Sequence, residues 1–168
     1  MTDEQQPEQP HQSQRGVARH LARVAAVQTL YQIEIGKVGA EKAIEIFTDD
    51  YMPLNADREF FHYLVREVIA KLPEIDAIII AELPKDWPMT RLDAVLRALM
   101  RVATAELLTR GDIPPLVTIS EFVDIAHSFF SGKEPGLVHN MLDRIGHAIR
   151  GADFATVKTA SDGLDQIQ

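Results

Sequence analysis

Apolar residues return at steps of three and four along most of this chain, beginning in residues 15–35. Turned at about 100° per residue, Val17, Leu21, Val24, Gln28, Tyr31 and Ile35 fall on one stripe there. Arg15, Arg19 and Arg23 line the opposite side. The pattern predicts an amphipathic helix with an apolar inner face and a basic outer one. Gly36 and Gly39 bracket its exit, and a short second helix follows with Ala43, Ile44, Phe47 and Tyr51 inward. Pro53 breaks the chain, and Asn55 is placed to cap a third helix through its side-chain oxygen. That helix buries Phe60, Leu64, Val68 and Leu72.

Pro73 suits the first position of a fourth helix, where its missing N–H costs nothing. Ile75, Ile78, Ile79 and Leu83 make this helix very apolar, and Pro84 closes it. The loop 85–88 carries Trp87, expected to plug the core. Thr90-x-x-Asp93 reads as a capping box with Asp in place of Glu. The helix after it, to about residue 109, is apolar on most sides, so the others are expected to wrap it. Gly111 stops it, and Asp112 to Pro115 form a rigid turn. Thr118-x-x-Glu121 reads as a second capping box, ahead of Phe122, Ile125, Ala126 and Phe129 at helical steps. A polar loop at 131–136 leads to a last helix that buries Leu137, Met141, Leu142, Ile145 and Ile149.

After Arg150 the periodicity fails, and no alternating run suggests a sheet. The expected fold is all-α and single-domain over 15–150, with a disordered arm at 1–14 and a disordered tail at 151–168. The arm holds five Gln and two Pro and no aliphatic residue after Met1, too little apolar surface to order itself.

Composition narrows the chemistry. With 46% hydrophobic and 25% charged residues, the chain is of the ordinary globular type. It has no cysteine, which excludes disulfides, thiolate catalysis and cysteine-bound zinc. No apolar run approaches the roughly 18–20 residues that span a bilayer, and the N-terminus is polar, so a soluble cytoplasmic protein without membrane contact is expected. The formal net charge is −8, yet no acid occurs from Gln9 to Ile33. A clean basic stripe on an acidic protein either awaits an anion or is a solvated face whose arginines pair with acids elsewhere.

Nothing in the sequence supports catalysis, and no cofactor or metal is expected. There is no glycine-rich phosphate loop and no paired-histidine metalloprotease helix. His62, His127, His139 and His147 sit within amphipathic helices, where hydrogen-bonded or surface imidazoles are the rule. Ser120, Ser128 and Ser131 lack the glycine context of a nucleophile elbow. Gln28, on the apolar stripe, is expected to need buried partners for its amide. Tyr31 can serve as a core residue or as an interface anchor with its hydroxyl at the rim.

An ordered series of short matches carries a family likeness. Ala22-Arg-Val-Ala-Ala-Val-Gln-Thr-Leu-Tyr31 resembles the opening helix of the NusB transcription antitermination factors. Trp87, Arg91-Leu92, Leu99-Met-Arg-Val-Ala103, Glu106-Leu107 and Ile113-Pro114 follow in order. Val117-Thr-Ile-Ser-Glu121, Ala126-His-Ser-Phe129 and Leu142-Asp143 complete the set, over about residues 15–150.

The resemblance implies about seven helices in two small bundles and no enzymatic activity. It also implies binding of the boxA element of ribosomal leader RNA together with the ribosomal protein NusE. Other antitermination factors and RNA polymerase would join through that complex, and a second copy of the chain is a further candidate partner. The family's arginine-rich RNA-binding segment matches Arg19, His20 and Leu21 here, a diluted run whose face Arg15 and Arg23 extend, and Phe129 and Lys133 match positions that add RNA contact. The positions that match its partner contacts are Tyr31, Ile35 and the segment from Asp93 to Leu96. The sequence departs from the family pattern at Ala105, at Leu96 and from Leu137 to Asn140, which bears on partner docking. Two other readings stay open. One is an RNA-binding module related to ribosomal RNA methyltransferases, for whose catalytic domain 168 residues leave no room. The other is a helical protein–protein adaptor whose arginine stripe docks an acidic partner.

Overall fold

The computed structural model describes residues 10–162, with side chains over 14–154. Its helices are α1 (Pro10–Gly36), α2 (Ala40–Ile46), α3 (Arg58–Ala70), α4 (Leu72–Glu82), α5 (Ala94–Thr109), α6 (Pro115–Phe129) and α7 (Glu134–Asp162). A π-turn at Phe47–Tyr51 extends α2, and a 3-10 turn at Met89–Arg91 precedes α5. Among the described residues there is no strand, and no helix is long and apolar enough to cross a membrane.

Helix α5 is the centre. It is buried almost continuously from Leu96 to Leu107 and packs against α1, α3, α4, α6 and α7. Its apolar residues on all sides leave it no face to give to solvent. Helices α1–α3 gather on one flank, and α4, α6 and α7 on the other. Leu99, Phe61, Phe122, Ile125, Met141 and Leu142 are fully buried between them, each worth about 1.5–3 kcal/mol of transfer free energy.

The inward face of α1 is rotated from the stripe that its bulky residues predict. Ala22, Ala25, Ala26, Val27, Thr29 and Leu30 face the core, while Val17 and Ile35 are 51% and 55% exposed. Gln28 lies in solvent and needs no buried partner. The small residues let α1 come close to α3 and α5, and shape complementarity there outweighs the extra methylenes of Val17 and Ile35. Buried Thr29 is satisfied within the helix, its Oγ1 donating to the Ala25 carbonyl at 2.8 Å.

Other local expectations shift for physical reasons. Asp57 rather than Asn55 caps α3, its Oδ1 accepting from the Phe60 N–H at 3.0 Å. Asp93 caps α5 directly, accepting from Val95 N–H at 2.8 Å, while Thr90 belongs to the preceding turn. Thr118 is buried inside α6, which starts after Pro114, so neither capping box forms. Trp87 is 47% exposed and Tyr51 69% exposed; neither plugs the core.

The boundaries move as well. Residues 10–14, read as arm, are already helical, and 1–9 lie outside the described residues. The last helix starts at Glu134, inside the expected loop, and continues past a non-helical Arg150 to Asp162. Residues 163–168 of the expected tail lie outside the described residues. Arg150 breaks α7 where its guanidinium donates to the carbonyls of Ile113 at 2.7 Å, Arg110 at 3.1 Å and Gly111 at 3.2 Å. It thereby holds three carbonyls between the end of α5 and the start of α6 and fixes that turn.

Candidate nucleic-acid interface

The three arginines of α1 do not share one environment. Arg23 is 2% exposed, and its Nε donates to Oε1 of fully buried Glu106 at 2.8 Å. A charge taken out of water demands such a partner, so Arg23 leaves the basic stripe. Arg15 is exposed and Arg19 half-buried, and neither makes an ion pair among the described residues. Arg23 thus pairs with an acid from elsewhere in the fold, but inside the protein and not on a solvated face.

The fold adds a fourth arginine to this place. Arg110, at the end of α5, sits 5.2 Å from the Phe60 ring centroid, with Arg19 at 5.4 Å and Arg23 at 5.2 Å from the same ring. The ring's negative face makes this grouping tolerable. Burial, then the positive charges of Arg15, Arg110 and Arg23, hold the Arg19 guanidinium below its usual pKa, and Asp112 partly offsets them. Arg110 is held in a two-point ion pair with Asp112, both contacts at 2.8 Å. A groove of about 250 Å³ lies here, lined by Arg15, Arg19, Arg23 and Asp112 and walled by Pro114 and Val117. His20 stands at its side, Nδ1 2.8 Å from Glu121.

A second groove, of about 520 Å³, lies further along the same two helices. Val27, Gln28, Tyr31 and Gln32 of α1 line it with Phe129 of α6, Val95 of α5, and Phe47 and Tyr51. The basic groove takes Arg15 and Arg19 of α1 and Val117 and Glu121 of α6. Both helices thus run in the same direction along one seam, basic at one end and aromatic at the other. From Arg15 to Tyr31 is roughly 24 Å at 1.5 Å per residue. Tyr31 is half-buried, packed against the core and lining this groove.

A protein-family model, the NusB family, matches residues 20–147. The chain belongs to the NusB family. The NusB transcription antitermination protein of Agrobacterium fabrum is 39% identical over 156 residues, covering 87% of this chain and 91% of that protein. That of Sphingopyxis alaskensis is 40% identical over 146 residues, covering 82% and 98%. Among solved structures, T. maritima NusB superposes with a TM-score of 0.73 at 31% identity, over 82% of this chain and 96% of that one. A complex of antitermination factors NusB and NusE with dsRNA shares the fold, with a TM-score of 0.67 at 24% identity over 77% of this chain and 96% of that one.

Against the NusB likeness, the expected site residues divide. Arg15, Arg19, His20, Tyr31 and Phe129 lie along the α1–α6 seam. Lys133 is exposed in the turn that follows α6. Arg23 is corrected to a buried structural cation, and Leu96, expected at the partner surface, is 4% exposed and part of the core. Its neighbour Val95 lines the aromatic groove instead. Asp93 is exposed but is engaged in capping α5. Ile35 is exposed one turn beyond Tyr31. Sequence reasoning missed Arg110, Asp112 and Phe60, which reach the basic groove's surroundings from the C-cap of α5, the α5–α6 turn and α3. No local pattern signals them. Glu106 was legible only as a member of a family motif, and Glu121 as that and as the acid of the expected second capping box.

Proposed function

We propose that this chain is a transcription antitermination factor that binds boxA-type RNA of ribosomal RNA leaders together with the ribosomal protein NusE, and so supports ribosomal RNA transcription. The observation that carries the reading is the seam along α1 and α6 of a NusB-family fold, with two arginines at one end that are without ion pairs among the described residues. Arg15 and Arg19 attract backbone phosphates, and phosphate contacts position a strand without reading its sequence. Phe129 offers a face for base stacking, and Lys133 adds positive charge beside it. Tyr31, Ile35 and the start of α5 receive the ribosomal protein. Other antitermination factors and RNA polymerase join through the assembled complex. A homodimer that covers the same seam would compete with RNA.

Charge sets the division of labour. Two arginines without ion pairs among the described residues, on a chain of net charge −8, give RNA limited attraction, so the chain alone binds weakly. A basic partner extends the positive surface and tightens RNA binding by a coupling free energy of about 1–3 kcal/mol, as is typical between linked sites. The test titrates boxA-type RNA and a scrambled strand of equal length into the protein, with and without NusE. Tighter binding of boxA-type RNA in the presence of NusE is expected, and Tyr31→Asp is expected to reduce that gain. Equal affinities with and without the partner would refute the cooperative reading. Equal binding of both strands would favour a non-specific anion surface.

A further inference from the structure

The basic groove contains its own acid. Asp112 lies in the turn between α5 and α6, and its side chain is 60% exposed. Its two carboxylate oxygens take both Nε and a terminal nitrogen of Arg110, each at 2.8 Å. The guanidinium so held is wedged between Phe60 and Tyr63, 5.2 and 5.3 Å from their ring centroids. Arg19 shares Phe60 from 5.4 Å and lines the same groove as Asp112. Its Nε is buried and has no hydrogen-bond partner among the described residues. The positive charges of Arg110 and Arg19 hold the Asp112 carboxyl well below the usual carboxylate range, the hydrogen bond from Arg110 counting most. It is therefore ionised whenever the protein is folded near neutral pH.

A phosphate presents two oxygens to a guanidinium fork just as a carboxylate does. Asp112 thus occupies, on Arg110, the place that a backbone phosphate would take. The ring contacts to Phe60 and Tyr63 keep the fork in position whichever anion it holds. The carboxylate belongs to an exposed turn, so it can withdraw into water at modest cost, because an exposed ion pair is worth little.

We propose that Asp112 is an internal stand-in for an RNA phosphate, which parks on Arg110 in the free protein and is displaced when a strand lies across Arg15, Arg19 and Arg110. The inference rests on the RNA-binding function proposed above and adds to it a phosphate contact, Arg110, and that contact's competitor. The device favours strands over single anions. One free phosphate must displace a tethered carboxylate on its own, whereas a strand also gains Arg15 and Arg19. It also keeps Arg110 compensated beside Arg19 and Arg23 while RNA is absent.

The experiment measures affinity for a boxA-type RNA oligonucleotide, with NusE present, over a series of salt concentrations. Asp112→Asn is expected to tighten binding several-fold at a nearly unchanged log–log salt slope, because Arg110 takes a phosphate in both proteins and only the competitor is lost, whereas loss of the contact in Arg110→Ala flattens the slope by about 0.7. Arg110→Ala is expected to weaken binding, and in that background Asp112→Asn loses its tightening effect. Asp86→Asn supplies the net-charge control. It lies in the loop before α5, at the far end of a 16-residue helix, roughly 24 Å along the axis. Thermal midpoints of all variants check the fold.

Unchanged or weaker binding by Asp112→Asn, while wild-type protein binds RNA, overturns this inference alone. Equal tightening by Asp86→Asn overturns it too, because the effect is then bulk charge. Failure of the wild-type protein to bind RNA with or without NusE overturns the functional reading, and the inference with it.

Discussion

Arg23 and Glu106 form an ion pair inside the protein, 83 residues apart in sequence, with Nε to Oε1 at 2.8 Å and almost no exposure of either side chain. Nη2 of Arg23 also donates to Glu106, at 3.3 Å, and Nη1 lies 3.6 Å from Glu121, which in turn meets His20 at 2.8 Å. A chain of polar contacts thus runs from the core at α5 to the seam between α1 and α6. It fixes how the first helix is rotated, and so which arginines are left outside.

Removing one member of that pair leaves the other buried without compensation. Arg23→Ala and Glu106→Ala are each expected to lower stability by about 3–5 kcal/mol, whereas the double apolar replacement Arg23→Met with Glu106→Leu recovers most of the loss. Urea unfolding measures all three. A cost below about 1 kcal/mol for Arg23→Ala would mean that water reaches the pair and that the arginine is not structural.

Arg15 and Arg19 are expected to behave in the opposite way. If each contacts one phosphate, the double variant Arg15→Ala with Arg19→Ala flattens the log–log salt dependence of RNA binding by about 1.4, at about 0.7 per contact on a single strand. Its thermal midpoint stays near the wild-type value, because removal of Arg19 relieves crowding among like charges. Unchanged RNA affinity in this variant would place the phosphate contacts elsewhere.

The imidazole of His62 gives the protein a definite response to pH. Thr48 Oγ1 already donates to the Ile44 carbonyl at 2.7 Å, so His62 Nε2 is the donor to that oxygen at 3.0 Å. Burial first, then the positive charge of Arg66, hold His62 below its ordinary pKa, with Glu41 partly opposing. The unfolded chain then takes up a proton first as pH falls through about 6.5, and the folded state loses stability from there down to its own lower pKa. His62→Gln keeps a side-chain donor without titrating. Its midpoint is expected to fall less than that of wild type between pH 8 and pH 5.5. Identical losses would show that His62 titrates alike in both states.

How far the sequence carried the reading differs from helix to helix. The spacing in α5 marks it as central without any knowledge of its neighbours, because a helix apolar all round has one stable place. In α1 the same reasoning chose Val17 and Ile35, which are exposed, over Ala22 and Ala26, which are not. Periodicity weighs a residue by its own hydrophobicity. Packing weighs it by the shape of what stands opposite, and alanine gains where helices come close. Likewise Asp57 caps α3 where Asn55 would serve chemically, since the cap follows the direction in which the chain enters.

By itself, then, the sequence determined the helices, the central place of α5, the want of acids near the start of α1, and the ordered series of NusB-like motifs. Each of these is local, or is a sum of local terms. Only the tertiary structure decided which charges are free. Arg23 is neutralised by Glu106 from α5, Arg15 and Arg19 are left without counter-ions among the described residues, and Asp112, paired with Arg110, arrives from beyond the end of α5 to line the groove. Tyr31 and Phe129, nearly a hundred residues apart, meet across the aromatic groove in the same way. Charge pairing and burial depend on distance in space, and for residues so far apart along the chain only the packing of the helices sets that distance.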